Sequence, residues 1–186
     1  MYKVLVIDNY DSFTYNLVHY LEALNCSVKT LRNDELDHAI IDSYHKVIIS
    51  PGSGLPNEAG KLIDFLKAYK NKKSILGICL GQQAIAEVFG GELAPLKEVN
   101  HGITSMLTHL NNDLIYQNIP TSFQAGLYHS WKTINLPKNL ITTAYSESGI
   151  SMSIKHSEYN IRALQYHPES IMTPFGKQIL KNWLCI

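Results

Sequence analysis

Cysteine is scarce in this chain: Cys26, Cys79 and Cys185 are the only three among 186 residues. So small and odd a number excludes a disulfide-stapled scaffold and fits a reducing compartment. Charge of neither sign is in excess, with 16 Lys and Arg against 16 Asp and Glu. That balance argues against binding nucleic acid or an anionic membrane through bulk electrostatics. No apolar run reaches membrane-spanning length, and Met1–Asp8 enters a strand pattern at once, without the plan of a signal peptide. Repeats, low-complexity tracts and linker-like stretches are also missing. What remains is 45% apolar, an ordinary composition for a soluble globule. The expectation is one cytoplasmic domain spanning residues 1–186, with a core large enough to fold alone.

Short, nearly all-apolar runs at Lys3–Ile7, Val28–Leu31 and Lys46–Ser50 have the character of parallel strands buried on both faces. Leu17, Tyr20, Leu21 and Leu24 recur at helical spacing, as do Leu62, Leu66 and Tyr69. This alternation predicts an α/β fold: an open, mostly parallel, twisted sheet with helices on both faces. Between about residues 92 and 154 the pattern changes to short strand-like segments such as Gly102–Leu107 and Leu140–Tyr145, which predict a smaller mixed or antiparallel layer. A late strand is expected at Ile161–Tyr166. A last helix is expected to start at Thr173-Pro174, with Thr173 as cap and proline at the first position.

The richest stretch is Ser74–Gln83. Ile75, Leu76 and Ile78 lead into Gly77-Ile78-Cys79-Leu80-Gly81, and Gln82–Phe89 leaves with helical spacing. Glycines two positions either side of a cysteine suit a nucleophile elbow, a strand-to-helix turn too tight for side chains at those places. Such a turn would lift the thiol into solvent at the positive end of the next helix. The plainer alternative is a buried structural cysteine, but packing alone does not call for the paired glycines.

A cysteine nucleophile needs a base, and the base an orienting group. His167 follows the last expected strand, and the carboxyl ends of strands are where an open parallel sheet gathers its functional groups. Glu169, two positions on, could accept the ring proton of His167. His-x-Glu alone also fits an ordinary polar loop. The loop Pro51–Pro56 also follows a strand. Gly52 and Gly54 would let its amides turn toward a developing oxyanion, with the Leu80 N–H as second donor. A plain Pro/Gly turn fits those residues as well. His19, His38, His45, His109 and His156 form no ligand-like group, so no metal is expected.

Taken together, Gly77–Gln83, Ser50–Pro56 and His167–Ser170 resemble the three signatures of the class I, triad-type glutamine amidotransferases, in the same order along essentially the whole chain. The opening Asp8–Asn16 resembles more narrowly the small subunits of chorismate-using synthases: anthranilate synthase component II and the glutaminase subunit of aminodeoxychorismate synthase. The resemblance implies a flavodoxin-like sheet, with Cys79 as nucleophile, His167 as base and acid, and Glu169 as orienter. It implies glutamine recognition by Gly52, Ser53 and Gly54, by Gln83, and by backbone at Ser130 and Trp131. It implies no cofactor in this chain, Mg2+ on the partner, and ammonia delivered to a separate synthase subunit, most directly for anthranilate. Because the sequence ends a dozen residues into its last helix, the chorismate-binding part is expected on that other chain, with the Asn9–Asn16 loop in the docking surface. The chain departs from the family pattern in places: Gln82 stands where His is usual, Ser53 for Pro, Leu127 for Arg, Trp131 for Leu, and Asn100-His101-Gly102-Ile103 for a Met-His-Gly-Lys segment. Two rival readings are a stand-alone γ-glutamyl hydrolase or cysteine peptidase, and a non-catalytic stabilising subunit.

Overall fold

The computed structural model describes residues 1–186. Five helices and nine strands alternate in the order β1 (Lys3–Asn9), α1 (Thr14–Glu22), β2 (Ser27–Arg32), α2 (His38–Asp42), β3 (Lys46–Gly52), α3 (Leu62–Tyr69), β4 (Ser74–Ile78), α4 (Leu80–Val88), β5 (Glu92–His109), β6 (Ser122–Ile134), β7 (Leu140–Ser146), β8 (Ser151–His156), β9 (Ile161–Leu164) and α5 (Gly176–Cys185). All nine strands join one sheet in the order β2-β1-β3-β4-β9-β8-β7-β5-β6. The β2-β1-β3-β4-β9 half is parallel. From β8 to β6 it is antiparallel. The antiparallel part expected from the change in pattern is thus hydrogen-bonded onto the edge of the parallel sheet.

Alternation along each parallel strand divides the core in two, because successive side chains point to opposite faces. Val4, Val6, Ile48, Leu76 and Ile78 pack with Leu17 and Leu21 of α1 and with Ile179, Leu180 and Trp183 of α5. Leu5, Ile7, Val47, Ile49 and Ile75 pack with Leu62, Phe65 and Leu66 of α3 and Ala84 and Ile85 of α4. Strands covered on both sides need apolar residues at every position, which is why they read as continuous runs. No helix is long and apolar enough to cross a membrane.

Several boundaries differ from the sequence expectation: β3 runs on through Pro51 to Gly52, into the expected loop, and β5 extends far beyond 102–107; two further differences lie near the end of the chain. Strand β9 stops at Leu164, and Tyr166 instead sinks into the core, its hydroxyl 3.2 Å from that of Tyr116. Helix α5 starts at Gly176, and Thr173 does not cap it. The Thr173 hydroxyl donates to the His167 carbonyl (2.7 Å) and accepts from the Gly126 N–H (3.0 Å). Those buried backbone groups would otherwise lack a side-chain partner, so the threonine is used upstream of the helix. The short α2, capped by Asp37 accepting from the Ala39 N–H, has only five residues, too few to show a helical period in sequence.

Candidate active site

Strands β4 and β9 run parallel in a register that sets Ile78 beside Leu164. The two chains therefore leave the sheet side by side at its carboxyl edge, where the Cys79 N–H donates to the Leu164 carbonyl (2.7 Å). This adjacency brings residues from opposite ends of the sequence into one cleft of about 400 Å³, which holds Cys79, His167, Gln83, the Gly52–Gly54 loop, His129, Ser130 and Trp131. A hollow of about 480 Å³ around His109–Ile119 is larger but contains neither of the paired groups described below.

Cys79 has φ 52° and ψ −100°, in the left-handed half of conformational space that non-glycine residues rarely occupy. Backbone strain of this kind costs about 1–3 kcal/mol and is held only where surrounding structure enforces it. The glycines do the enforcing. A β-carbon on Gly77 would lie 2.6 Å from the Gly81 carbonyl, and one on Gly81 would lie 3.0 Å from the carbonyl of Ile49. Contrary to the expectation of a thiol lifted into solvent, Cys79 is only 5% exposed and sits in the cleft.

His167 Nδ1 lies 2.7 Å from Glu169 Oε1, and both residues are buried. The contact is made across a turn, closed by the Ser170 N–H on the His167 carbonyl, and not in extended chain. Burial is the largest influence on the imidazole and pushes its pKa down. The Glu169 charge and the hydrogen bonds to Cys79 and Glu169 outweigh it and raise the pKa to about 10. His167 Nε2 is buried and has no hydrogen-bond partner of ordinary geometry, while Cys79 is near enough to influence the ring's pKa. Sequence reasoning missed the aromatic support of this ring. Phe13 and Tyr128 approach it edge-on, with centroids 5.5 and 4.8 Å away.

The opening segment is partly internal. The Asn9 N–H and side-chain amide bond Ser50 at 2.9 and 2.8 Å, while Asp11, Ser12 and Phe13 line the cleft and Tyr10 and Tyr15 stay exposed. Gly52 packs between Asn9 and Leu80, where an added β-carbon would come within 2.6 Å of both side chains. The two residues expected to supply oxyanion donors, Gly52 and Leu80, are therefore in contact through the Leu80 side chain.

Across the cleft, the Trp131 carbonyl accepts from His129 Nδ1 (2.8 Å) and from Gln83 Nε2 (3.4 Å). Burial lowers the His129 pKa and the nearby His167 lowers it further, against the raising effect of the Trp131 hydrogen bond. The ring is thereby kept neutral, with Nε2 facing the Asn100 amide at 3.5 Å. Gln82 turns away and donates to the Ser151 carbonyl at 3.4 Å. Leu127 is buried in the core, and Ile103 is exposed beside it in the hairpin of β5 and β6. Of these departures, Ser53 and Trp131 line the cleft.

Comparison with known proteins places this arrangement. The family model for glutamine amidotransferase class-I matches residues 5–186. Anthranilate synthase component 2 of Pyropia yezoensis is 41% identical over 97% of this chain and 98% of its own. Aminodeoxychorismate synthase component 2 of Escherichia coli is 40% identical over 97% of this chain and 98% of its own. A solved structure of a Thermoplasma acidophilum protein assigned to GMP synthase superposes with a TM-score of 0.90 at 26% identity, covering 100% of this chain and 93% of that one. The chain belongs to the class-I glutamine amidotransferases.

Proposed function

We propose that the chain is a glutaminase subunit that hydrolyses L-glutamine at Cys79 and passes ammonia to a separate chorismate-using synthase subunit, anthranilate being the first product to test. The observation that carries this reading is the buried His167–Glu169 pair, in which His167 keeps an unpartnered Nε2 and lines the same cleft as Cys79 on its strained turn. The sulfur gives its proton to His167 and adds to the glutamine carboxamide carbon. The oxyanion is held by the Gly52 and Leu80 amides. His167 returns the proton to the departing nitrogen, and ammonia leaves. Water then adds to the γ-glutamyl thioester with His167 as base, the C–S bond breaks, and glutamate is released. Gln83 Nε2 is occupied by the Trp131 carbonyl, so its carbonyl oxygen is free to accept from the substrate ammonium, with Ser130 and Trp131 bounding the same end.

Relatives named for both products support a second reading in which the partner makes aminodeoxychorismate, or in which one subunit serves both synthases. The resident Mg2+ belongs in either case to the partner, the reaction is cytoplasmic, and the exposed Tyr10 and Tyr15 of the opening segment belong to the docking surface. The test is Cys79→Ser in the complex with the co-purifying large subunit. Synthesis from glutamine should vanish while synthesis from ammonium salts persists. Glutamine hydrolysis surviving in the variant would overturn the assignment, and the identity of the large subunit decides between the two products.

A further inference from the structure

Gln165 is fully buried, does not line the cleft, and reaches the reacting sulfur from behind: its Nε2 lies 3.6 Å from Cys79 Sγ. The β4–β9 register dictates this approach, because one step beyond the Ile78–Leu164 pair sets Gln165 beside Cys79. The Gln165 N–H donates to the Met152 carbonyl (2.9 Å), which pins its backbone at the end of β9.

The direction of the side-chain amide follows from its neighbours. A backbone carbonyl can only accept, so the Gln83 atom facing the Trp131 carbonyl is its nitrogen. That same nitrogen lies 3.4 Å from Gln165 Oε1, which must therefore accept. The atom left for the sulfur is the Gln165 NH2 group, a donor. A chain of hydrogen bonds thus runs from the Trp131 carbonyl through Gln83 and Gln165 and ends with an N–H pointing at Sγ.

We infer that Gln165 positions the Cys79 sulfur and stabilises its negative charge. The inference rests on Cys79 being the nucleophile. Negative charge is present on sulfur twice in the reaction: when His167 has taken the thiol proton, and when the thioester collapses and the C–S bonding pair returns to sulfur. A donor fixed behind the sulfur serves both moments and leaves the cleft side open to glutamine and His167. Hydrogen bonds to ionised acceptors are about twice as strong as neutral ones. Removing the donor should therefore disfavour the anion by roughly tenfold. The titratable groups that line the cleft with the sulfur are His167, backed by Glu169, and His129, His101 and Asp11; none is altered by substituting Gln165.

The test is the pH profile of Cys79 alkylation by iodoacetamide, followed by peptide mass mapping of the full chain. In Gln165→Leu, and in the length-conserving Gln165→Met, the midpoint should move up. Alkylation on the rising limb should slow about tenfold, and the high-pH plateau should match the parent. Gln165→Glu, with a carboxylate against the sulfur, should move the midpoint further. In the parent chain itself, the Gln165 side-chain amide resonances should titrate with the same midpoint, a readout that does not depend on any variant folding. Superimposable profiles, or an amide that does not respond, would overturn the inference. Labelling of Cys79 by 6-diazo-5-oxo-norleucine, run alongside, separates the two failures: no labelling removes the nucleophile reading itself, whereas labelling with unchanged profiles removes only the role of Gln165.

Discussion

Gly176, the first residue of α5, packs against the carbonyl of Pro168 so closely that a β-carbon there would overlap the carbonyl oxygen. Pro168 links His167 to Glu169, so the last helix directly buttresses the loop that carries both. Neither side of this contact can yield cheaply, since both are backbone. Gly176→Ala is expected to destabilise the fold by about 3 kcal/mol, the upper end for overpacking, and to lower glutamine turnover more than tenfold by displacing His167. Urea unfolding and steady-state hydrolysis measure the two effects. A stable, fully active alanine variant would mean that the loop and helix part freely.

Thr173 supports the same loop from the other side through its bonds to the His167 carbonyl and the Gly126 N–H. Valine has the shape of threonine without the hydroxyl, so Thr173→Val isolates those two bonds. It should cost about 2 kcal/mol, because buried backbone groups lose partners. Thr173→Ser should recover most of the loss. Thermal unfolding of the three proteins side by side decides the point.

Much of the architecture is readable from the chain alone, for reasons that differ by element. The parallel half is legible because strands buried on both faces are apolar throughout, as at Val4–Ile7 and Val47–Ile49. The cysteine turn is legible because its glycines have no other use; the contacts of Gly77 with Gly81 give that pattern its physical meaning. The antiparallel half is legible only in pieces: Gly102–Leu107 and Leu140–Tyr145 fall within β5 and β7, but β5, with 18 residues, carries a mostly exposed or half-exposed pattern and two breaks in register, so no simple alternation marks its full length. Thr173 misleads because a Thr-Pro pair suits a helix start, and only tertiary contacts reveal that its hydroxyl is used elsewhere. Gln165 gives no signal at all. Its position matters through the register of two strands far apart in sequence, which composition and spacing do not encode.

The His167–Glu169 pair should leave a mark on stability as pH rises. His167 is raised from its ordinary 6.5 to about 10 in the folded chain, so the native state holds this proton more tightly than the unfolded one. The resulting stabilisation is complete below about 6.5, declines between 6.5 and 10, and is gone above. Glu169→Gln removes the charge that sustains it. The parent should therefore exceed Glu169→Gln in unfolding free energy near pH 6, and the gap should close toward pH 10. The buried Tyr116–Tyr166 pair also loses stabilisation in alkali, since Tyr116 is raised by burial to about 12 and Tyr166 is raised as well. It is common to both proteins and cancels in the difference. A gap independent of pH would show that the carboxylate acts through packing alone.

The adjacent glutamines of α4 provide a discriminating comparison, because a helix turns neighbouring side chains to different sides. Gln83 lines the cleft and bonds the Trp131 carbonyl and Gln165, whereas Gln82 reaches back to Ser151 and leaves its own Oε1 without a partner. Gln83→Ala deletes a proposed substrate contact and should raise KM for glutamine about tenfold. Gln82→Ala removes a side chain that touches neither substrate nor sulfur, so kcat and KM should stay within about twofold of the parent. Gln82→His, which installs the residue usual in the family, should be equally silent in catalysis, and any effect should fall on stability through its packing against β8. If Gln82→Ala impaired turnover as severely as Gln83→Ala, the departure at this position would be part of the active site, and the separation of roles along this helix would be wrong.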